Sequence, residues 1–271
     1  MQHVRTMITA GALFVCGLVL TGLACSTLLN PAPNRLGTLP PPSAIPAPTE
    51  TSIPLYQQVA LISIPSEEQG QPFAYTIKAQ TPSLSGSQDS RVVRFNYEMT
   101  TLVNKAVTEF KNNLAKLPAT PDSTASSFEL RFNLLSPPGN ILSLKFDITT
   151  YYTGAAHPGD VSQTFTYDLQ QGRDVALADL FVPDADYLTA ISKYCIAQLG
   201  TRDIGFEGFE LGATATAEIY RNWNLTTYGL MITFDEYQVA PYAAGPQTVV
   251  IPYKQLEQLV EPAGPLAAYS H

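Results

Sequence analysis

The chain has 271 residues, of which 45% are hydrophobic and only 14% charged, with a formal net charge of −8. This length allows a sizeable core in one large or two small domains, and the acidic balance opposes non-specific binding to nucleic acid while favouring a neutral or cationic partner. Charged residues fall well below the roughly 25% of an average soluble protein, so Ser, Thr, Gln, Asn and Tyr must build much of the surface, as is common outside the cytoplasm.

The first 24 residues read as a signal peptide: Arg5, an apolar run from Met7 to Leu20, then small and apolar residues ending Leu20-Thr21-Gly22-Leu23-Ala24-Cys25. The run is too short and too poorly flanked for a membrane-spanning helix. Small residues ahead of a cysteine resemble a bacterial lipobox, which makes Cys25 the residue to be lipidated, although Gly22 stands where leucine is usual. A plain secretory signal or a retained single anchor is the other reading. Cys16 lies inside the signal and Cys195 is then the only thiol of the mature body, so an acylated Cys25 leaves no intramolecular disulfide there. Cys195 itself reads as a buried small hydrophobe. From the cysteine to Pro54 the chain is rich in Pro, Ala, Thr and Ser, a semi-extended tether over residues 25–54 that lifts a domain off a membrane.

The folded part is expected from Leu55. Tyr56–Ile64 and Phe73–Gln80 are rich in β-formers, with Pro65–Gln71 read as a polar turn between them. Phe95, Met99, Leu102, Ala106, Phe110 and Leu114 recur at helical steps and predict a helix over 91–117, capped by Asp89 or Ser90. Phe128–Leu134 and Leu142–Ile148 alternate apolar and polar residues around Pro137-Pro138-Gly139-Asn140, predicting an antiparallel hairpin with one buried face. Alternation resumes over Val161–Leu169, so Tyr151–Asp160 is a loop between neighbouring strands. Beyond the turn at Gln170–Arg173, Val175–Phe181 is expected as a short edge segment with Asp179 available for capping bonds. A helix over Asp186–Leu199 stopped by Gly200, a mobile loop over Gly205–Gly212 and a short helix over Ala213–Arg221 follow. Leu225 and Leu230–Phe234 suggest a hairpin, Asp235–Pro246 a loop, Thr248–Ile251 a strand and Tyr253–Val260 a helix.

The residues permit little catalysis. A catalytic zinc normally takes two or three His or Cys ligands, and the mature body holds only His157, Cys195 and His271; a His-poor carboxylate site for calcium or magnesium stays open, but no EF-hand-like acidic spacing occurs, and no cofactor is expected. No G-x-S-x-G elbow, Walker loop or dinucleotide fingerprint occurs, and no catalytic residue is assigned. His157 with Ser162 or Thr164 nearby leaves a nucleophile arithmetically open. His157 itself has two readings: a contact presented between aromatic-rich strands beside Tyr151 and Tyr152, or an imidazole that fixes the Gly154–Gly159 turn through backbone bonds. Asp235-Glu236 reads as adjacent strand residues on opposite faces, poor partners for acid/base work. Asn224-Leu225-Thr226 matches a glycosylation sequon. Tyr237 and Tyr242 flank a loop of little charge, and tyrosine supplies rigid contact area with a polar tip, suited to sugars and protein partners alike.

Tyr151-Tyr152-Thr153-Gly154-Ala155-Ala156-His157, Thr164–Leu169, Leu177–Phe181, Leu225–Leu230, Ala240–Gly245 and Ile251-Pro252-Tyr253 together resemble the uncharacterised ectodomain shared by the anti-sigma-V factor and certain peptidoglycan deacetylases. Ala155 stands where that family has a second glycine. Residues 76–114 resemble the partner domain that usually precedes it, so the resemblance covers almost everything after the tether. It implies an α+β fold, an antiparallel sheet with packed helices in two adjoining subdomains, here 55–122 and 123–265. It also implies a binding or sensor module: the anti-sigma-V ectodomain is a lysozyme receptor, and in the deacetylases the domain accompanies a separate catalytic one. The expected binding residues are Tyr151, Tyr152, His157, Tyr237 and Tyr242, and the expected partners a lysozyme-like protein or cell-wall glycan, with the membrane reached through the lipid anchor. A glycan hydrolase using carboxylates and His157, or a structural envelope lipoprotein, are the alternatives.

Overall fold

The computed structural model describes residues 53–71, 74–117, 125–203, 207–267 and 269. The expected signal peptide, Cys25 and the tether as far as Ser52 lie outside them. The fold is α+β. A six-stranded sheet runs β1 (Ala60–Gly70), β2 (Tyr75–Ser85), β3 (Ser126–Leu134), β4 (Ile141–Tyr151), β5 (Gly159–Asp168) and β6 (Arg173–Asp174) in sequential order. A second sheet holds β7 (Trp223–Leu225), β8 (Leu230–Phe234) and β9 (Gln247–Ile251). The helices are a single turn α1 (Leu55–Gln58), the long α2 (Ser90–Leu114) and α3 (Tyr187–Leu199).

All pairings are antiparallel except β2 with β3, which is parallel. The reason is α2, which forms the return between those strands. Its 25 residues span about 37 Å at 1.5 Å per residue, close to the reach of the eleven-residue β2, so the chain comes back to the end where β2 began. Asp89 caps the helix by accepting Arg91 N–H at 2.9 Å, and Val92, Phe95, Met99, Val103, Phe110 and Leu114 form its buried stripe. That stripe meets Ile77, Phe128, Leu130, Leu144, Phe146 and Tyr167 on one face of the large sheet. The sheet therefore takes β1 and β2 from the first expected subdomain and β3–β6 from the second, side by side.

A second core gathers α3, β7–β9 and Tyr220 around Ile191, Cys195, Leu199, Trp223, Ile232 and Phe234. The other face of β4 and β5 meets β7 through a polar layer. The Ser143 hydroxyl bonds Thr166 Oγ1 at 2.9 Å and accepts from Asn224 Nδ2 and Leu225 N–H, both at 3.0 Å. Asn224 also donates to Leu144 O at 3.0 Å and is wholly buried, so the sequon asparagine is closed to glycosylation in the folded protein.

The alternating hairpin, the two amphipathic helices and the capping by Asp179, which accepts Ala176 N–H and Arg173 Nη1, are as expected. Five local expectations fail. Pro65–Gln71 is not a turn: β1 runs through Gly70, because an edge strand with both faces largely solvated tolerates proline and the Glu67-Glu68 pair. Tyr56 lies in the α1 turn and not in a strand. Residues 177–180 form a short 3-10 helix, with Phe181 bridged to Val260, in place of an extended edge. Neither Ala213–Arg221 nor Tyr253–Val260 is an α-helix; the latter closes with three-residue bonds, Leu256 N–H to Tyr253 O and Leu259 N–H to Leu256 O, which turn Leu256 and Val260 inward. Of the expected loop Gly205–Gly212, residues 205 and 206 lie outside the described residues, and Phe209–Ala213 is a 3-10 helix.

Candidate binding site

Two loops build the site. The first joins β4 to β5. Its turn is closed by Ala155 N–H donating to Tyr152 O at 2.9 Å, with Gly154 third in the turn at φ +89, a value that glycine takes without steric penalty. Ala155 is not among the residues with positive φ, so alanine at this position carries no backbone strain.

The second loop follows β8. Asp235 O accepts Gln238 N–H at 3.1 Å, and this tight turn forces Tyr237 to φ +62, at a cost of about 1–3 kcal/mol for a non-glycine residue. Gln238 holds the turn from behind: its Oε1 accepts Asp235 N–H at 3.0 Å, and its Nε2 donates to Gly212 O at 3.1 Å and Ile219 O at 3.3 Å. A 3-10 turn over Tyr242–Ala244 then carries the second tyrosine.

The loops meet through rings and one shared acceptor. His157 stacks on Tyr242 with centroids 3.9 Å apart at 29°, and Tyr242 stacks on Tyr237 at 5.9 Å and 26°. Pro158 O accepts both His157 Nδ1–H at 2.8 Å and the Tyr242 hydroxyl at 3.1 Å. The histidine thus combines both readings of the sequence: it bonds the backbone of its own turn and presents an exposed ring. Tyr237 is 58% exposed, so the stack ends in solvent. Burial, followed by the nearby charges of Glu236 and Asp160, holds the Tyr242 hydroxyl above the ordinary tyrosine range.

Asp235 and Glu236 correct the sequence reading. They follow β8 in the turn, not on opposite faces of a strand, and both reach the outer edge of β5. Asp235 Oδ1 accepts Ser162 N–H at 2.8 Å, and Glu236 Oε2 accepts Asp160 N–H at 3.2 Å. Two carboxylates thereby satisfy edge donors that a neighbouring strand would otherwise take. Asp235 Oδ2 also accepts from Arg221 Nη2 at 3.0 Å and Asn222 Nδ2 at 3.2 Å. The sequence reading set Glu236 aside with Asp235 as poor acid/base partners and passed over Asp160, because the meeting of Glu236 and Asp160 depends on a contact across 76 residues.

Tyr151 and Tyr152 do not join the stack. Successive residues of a strand point to opposite faces. Tyr152 lies on the α2 side, half-buried and stacked on Phe110 at 5.3 Å and 24°, where it lines a groove of about 660 Å³ with Phe110, Phe128 and Ile148. Tyr151, half-buried, belongs to the opposite face of β4. The nucleophile arithmetic also finds its hydroxyls occupied or buried: Thr164 Oγ1 donates to Arg221 O and accepts Trp223 N–H, and Ser162 is buried. Burial pushes the Cys195 thiol up to about 12, far from a reactive thiolate. Among the described residues no group of three or more His, Cys, Asp or Glu side chains could hold a metal ion, and no helix is long and apolar enough to cross a membrane.

Over 113 residues, 41% of the chain, the sequence is 29% identical to the peptidoglycan-N-acetylmuramic acid deacetylase PdaC of Bacillus subtilis (strain 168). The match spans 24% of that protein's length. A DUF3298 member from Bacteroides fragilis NCTC 9343 superposes with a TM-score of 0.58 at 18% identity, covering 78% of this chain and 97% of that one. Another, from Pseudomonas aeruginosa PAO1, gives 0.53 at 18%, covering 77% and 97%. Residues 178–254, which carry Tyr237 and Tyr242 but not His157, match the family described as protein of unknown function (DUF3298), and the chain shares the fold of two solved members of that family.

Proposed function

We propose that the protein is an extracytoplasmic binding module of the bacterial envelope, lipid-anchored through Cys25, that takes cell-wall glycan on the rings of His157, Tyr242 and Tyr237. The observation that carries this reading is the stack itself: three rings from two loops, two of them bonded to Pro158 O and the third ending in an exposed face. Stacked aromatic faces suit the apolar C–H face of a sugar, and rigid tyrosines lose little entropy on binding. The turn holds Tyr237 at φ +62 on this exposed face, and backbone strain of that kind clusters at ligand-binding sites. The similarity to a deacetylase named for peptidoglycan supports the same substrate class.

Sedimentation with purified peptidoglycan at two salt concentrations tests the proposal. Binding should survive the higher salt and fall sharply in Tyr242→Ala; no binding, or binding indifferent to Tyr242, would refute it. A cationic lysozyme-like protein is the second reading, favoured by the net charge of −8. It predicts lysozyme binding that weakens steeply with salt. A glycan hydrolase would instead show turnover of wall fragments lost in His157→Ala. Cys25→Ser should yield an unprocessed or soluble form if the anchor is as proposed.

A further inference from the structure

Beside the ring stack lie two carboxylates whose chemistry is only half used. Glu236 precedes Tyr237, and its Oε2 accepts the N–H of Asp160. Asp160 follows Pro158, the acceptor of the Tyr242 hydroxyl, by two residues, and its Oδ1 accepts Thr149 Oγ1 at 2.5 Å. Among the described residues, Glu236 Oε1 and Asp160 Oδ2 have no partner, and neither side chain forms an ion pair. The contrast with Asp235 is direct: both of its oxygens are used and Arg221 neutralises it.

We propose that this face selects a protonated amino sugar, with the sugar ring on Tyr242 and Tyr237 and its ammonium between Glu236 and Asp160. The inference rests on the glycan reading above and names the glycan. Glu236 and Asp160 are half-buried, each keeps a carboxylate oxygen unused, and among the described residues neither has a counter-charge, so a cation is the ligand that suits them. The negative faces of the tyrosine rings add attraction for the same cation. An N-acetylated sugar offers no charge to the pair, and a sugar bearing its own carboxylate is repelled. A lysine side chain would satisfy the carboxylates but lacks a ring face to cover two stacked tyrosines, which is why the amino sugar is preferred over a basic protein.

The test is calorimetric titration of the full chain with a glucosamine oligomer, the matching N-acetylglucosamine oligomer and a lysine-rich peptide, at a pH where the amine is protonated. The glucosamine oligomer should bind about tenfold more tightly than the acetylated one, the size of one charge-assisted contact. Glu236→Gln and Asp160→Asn should each erase that preference while leaving urea unfolding midpoints near wild type, because the amide oxygens still accept Asp160 N–H and Thr149 Oγ1. Equal or tighter binding of the acetylated oligomer, still dependent on Tyr242, would overturn the amino-sugar assignment and leave the glycan reading standing. Failure of both oligomers would remove both. Binding of the peptide without the glucosamine oligomer would overturn the proposal in favour of a basic protein partner.

Discussion

Replacing Ser143 by alanine removes one oxygen from the polar layer between the two sheets, and the consequence can be worked out atom by atom. Ser143, Asn224 and Leu225 are each 0% exposed. The hydroxyl accepts Leu225 N–H and one hydrogen of Asn224 Nδ2, and it shares a hydrogen bond with Thr166 Oγ1. In Ser143→Ala the backbone N–H and one amide hydrogen lose their acceptor in a space closed to solvent. The second amide hydrogen keeps Leu144 O. At about 1–3 kcal/mol for each buried donor left unsatisfied, the variant should lose roughly 2–6 kcal/mol of stability. A typical domain is stable by only about 5–15 kcal/mol, so this is a large share of the total. Trp223, the chain's single tryptophan, is buried next to Asn224 and reports the transition by fluorescence in a urea titration. The midpoint should fall with little change in slope. A loss below about 0.5 kcal/mol, within the range of an ordinary surface substitution, would refute the claim that this hydroxyl ties the sheets together.

Further expectations follow from other parts of the fold. The Arg91 guanidinium and its backbone N–H hold the Asp89 carboxyl at about 2, below its unfolded value, so its contribution is complete above about pH 4 and is lost as pH falls through about 2. Asp89→Asn keeps a capping oxygen without the charge; the gap between wild-type and variant urea midpoints should narrow on acidification, and a constant gap would contradict the assignment. Cys195 should resist a thiol reagent at about pH 8 in the native protein and react at once after denaturation; rapid native labelling would show that α3 opens. A Cβ at Gly212 would overlap the Gln238 carbonyl, so Gly212→Ala should cost about 1–3 kcal/mol and also weaken Tyr242-dependent glycan binding. Full stability in that variant would show that the loop behind Tyr237 yields.

Much of the framework was legible because it is written in short-range periodicity. Alternation around Phe128–Leu134 and Leu142–Ile148, the stripe from Phe95 to Leu114 and the Asp89 cap each depend on residues a few positions apart, and each appears as expected. Edge and connecting segments were less legible, because their conformation answers to neighbours and not to their own composition. β1 takes Pro65 and Glu67-Glu68 into a strand since β2 pairs along its whole length. Tyr253–Val260 has helical composition but is shaped by its packing against the second core.

The sequence by itself determined the central hairpin, the two long helices, the acidic and lightly charged composition, and the loops that hold His157, Tyr237 and Tyr242. Only the tertiary structure decided which of these meet. A strand's pleat sends Tyr151 and Tyr152 to opposite faces, away from the stack, while the 235–246 loop folds back on β5 to set Tyr242 against His157 and Glu236 against Asp160. Local geometry fixes a residue's face within its own element, but convergence across 76 positions is set by the packing of two sheets, and no spacing along the chain encodes it.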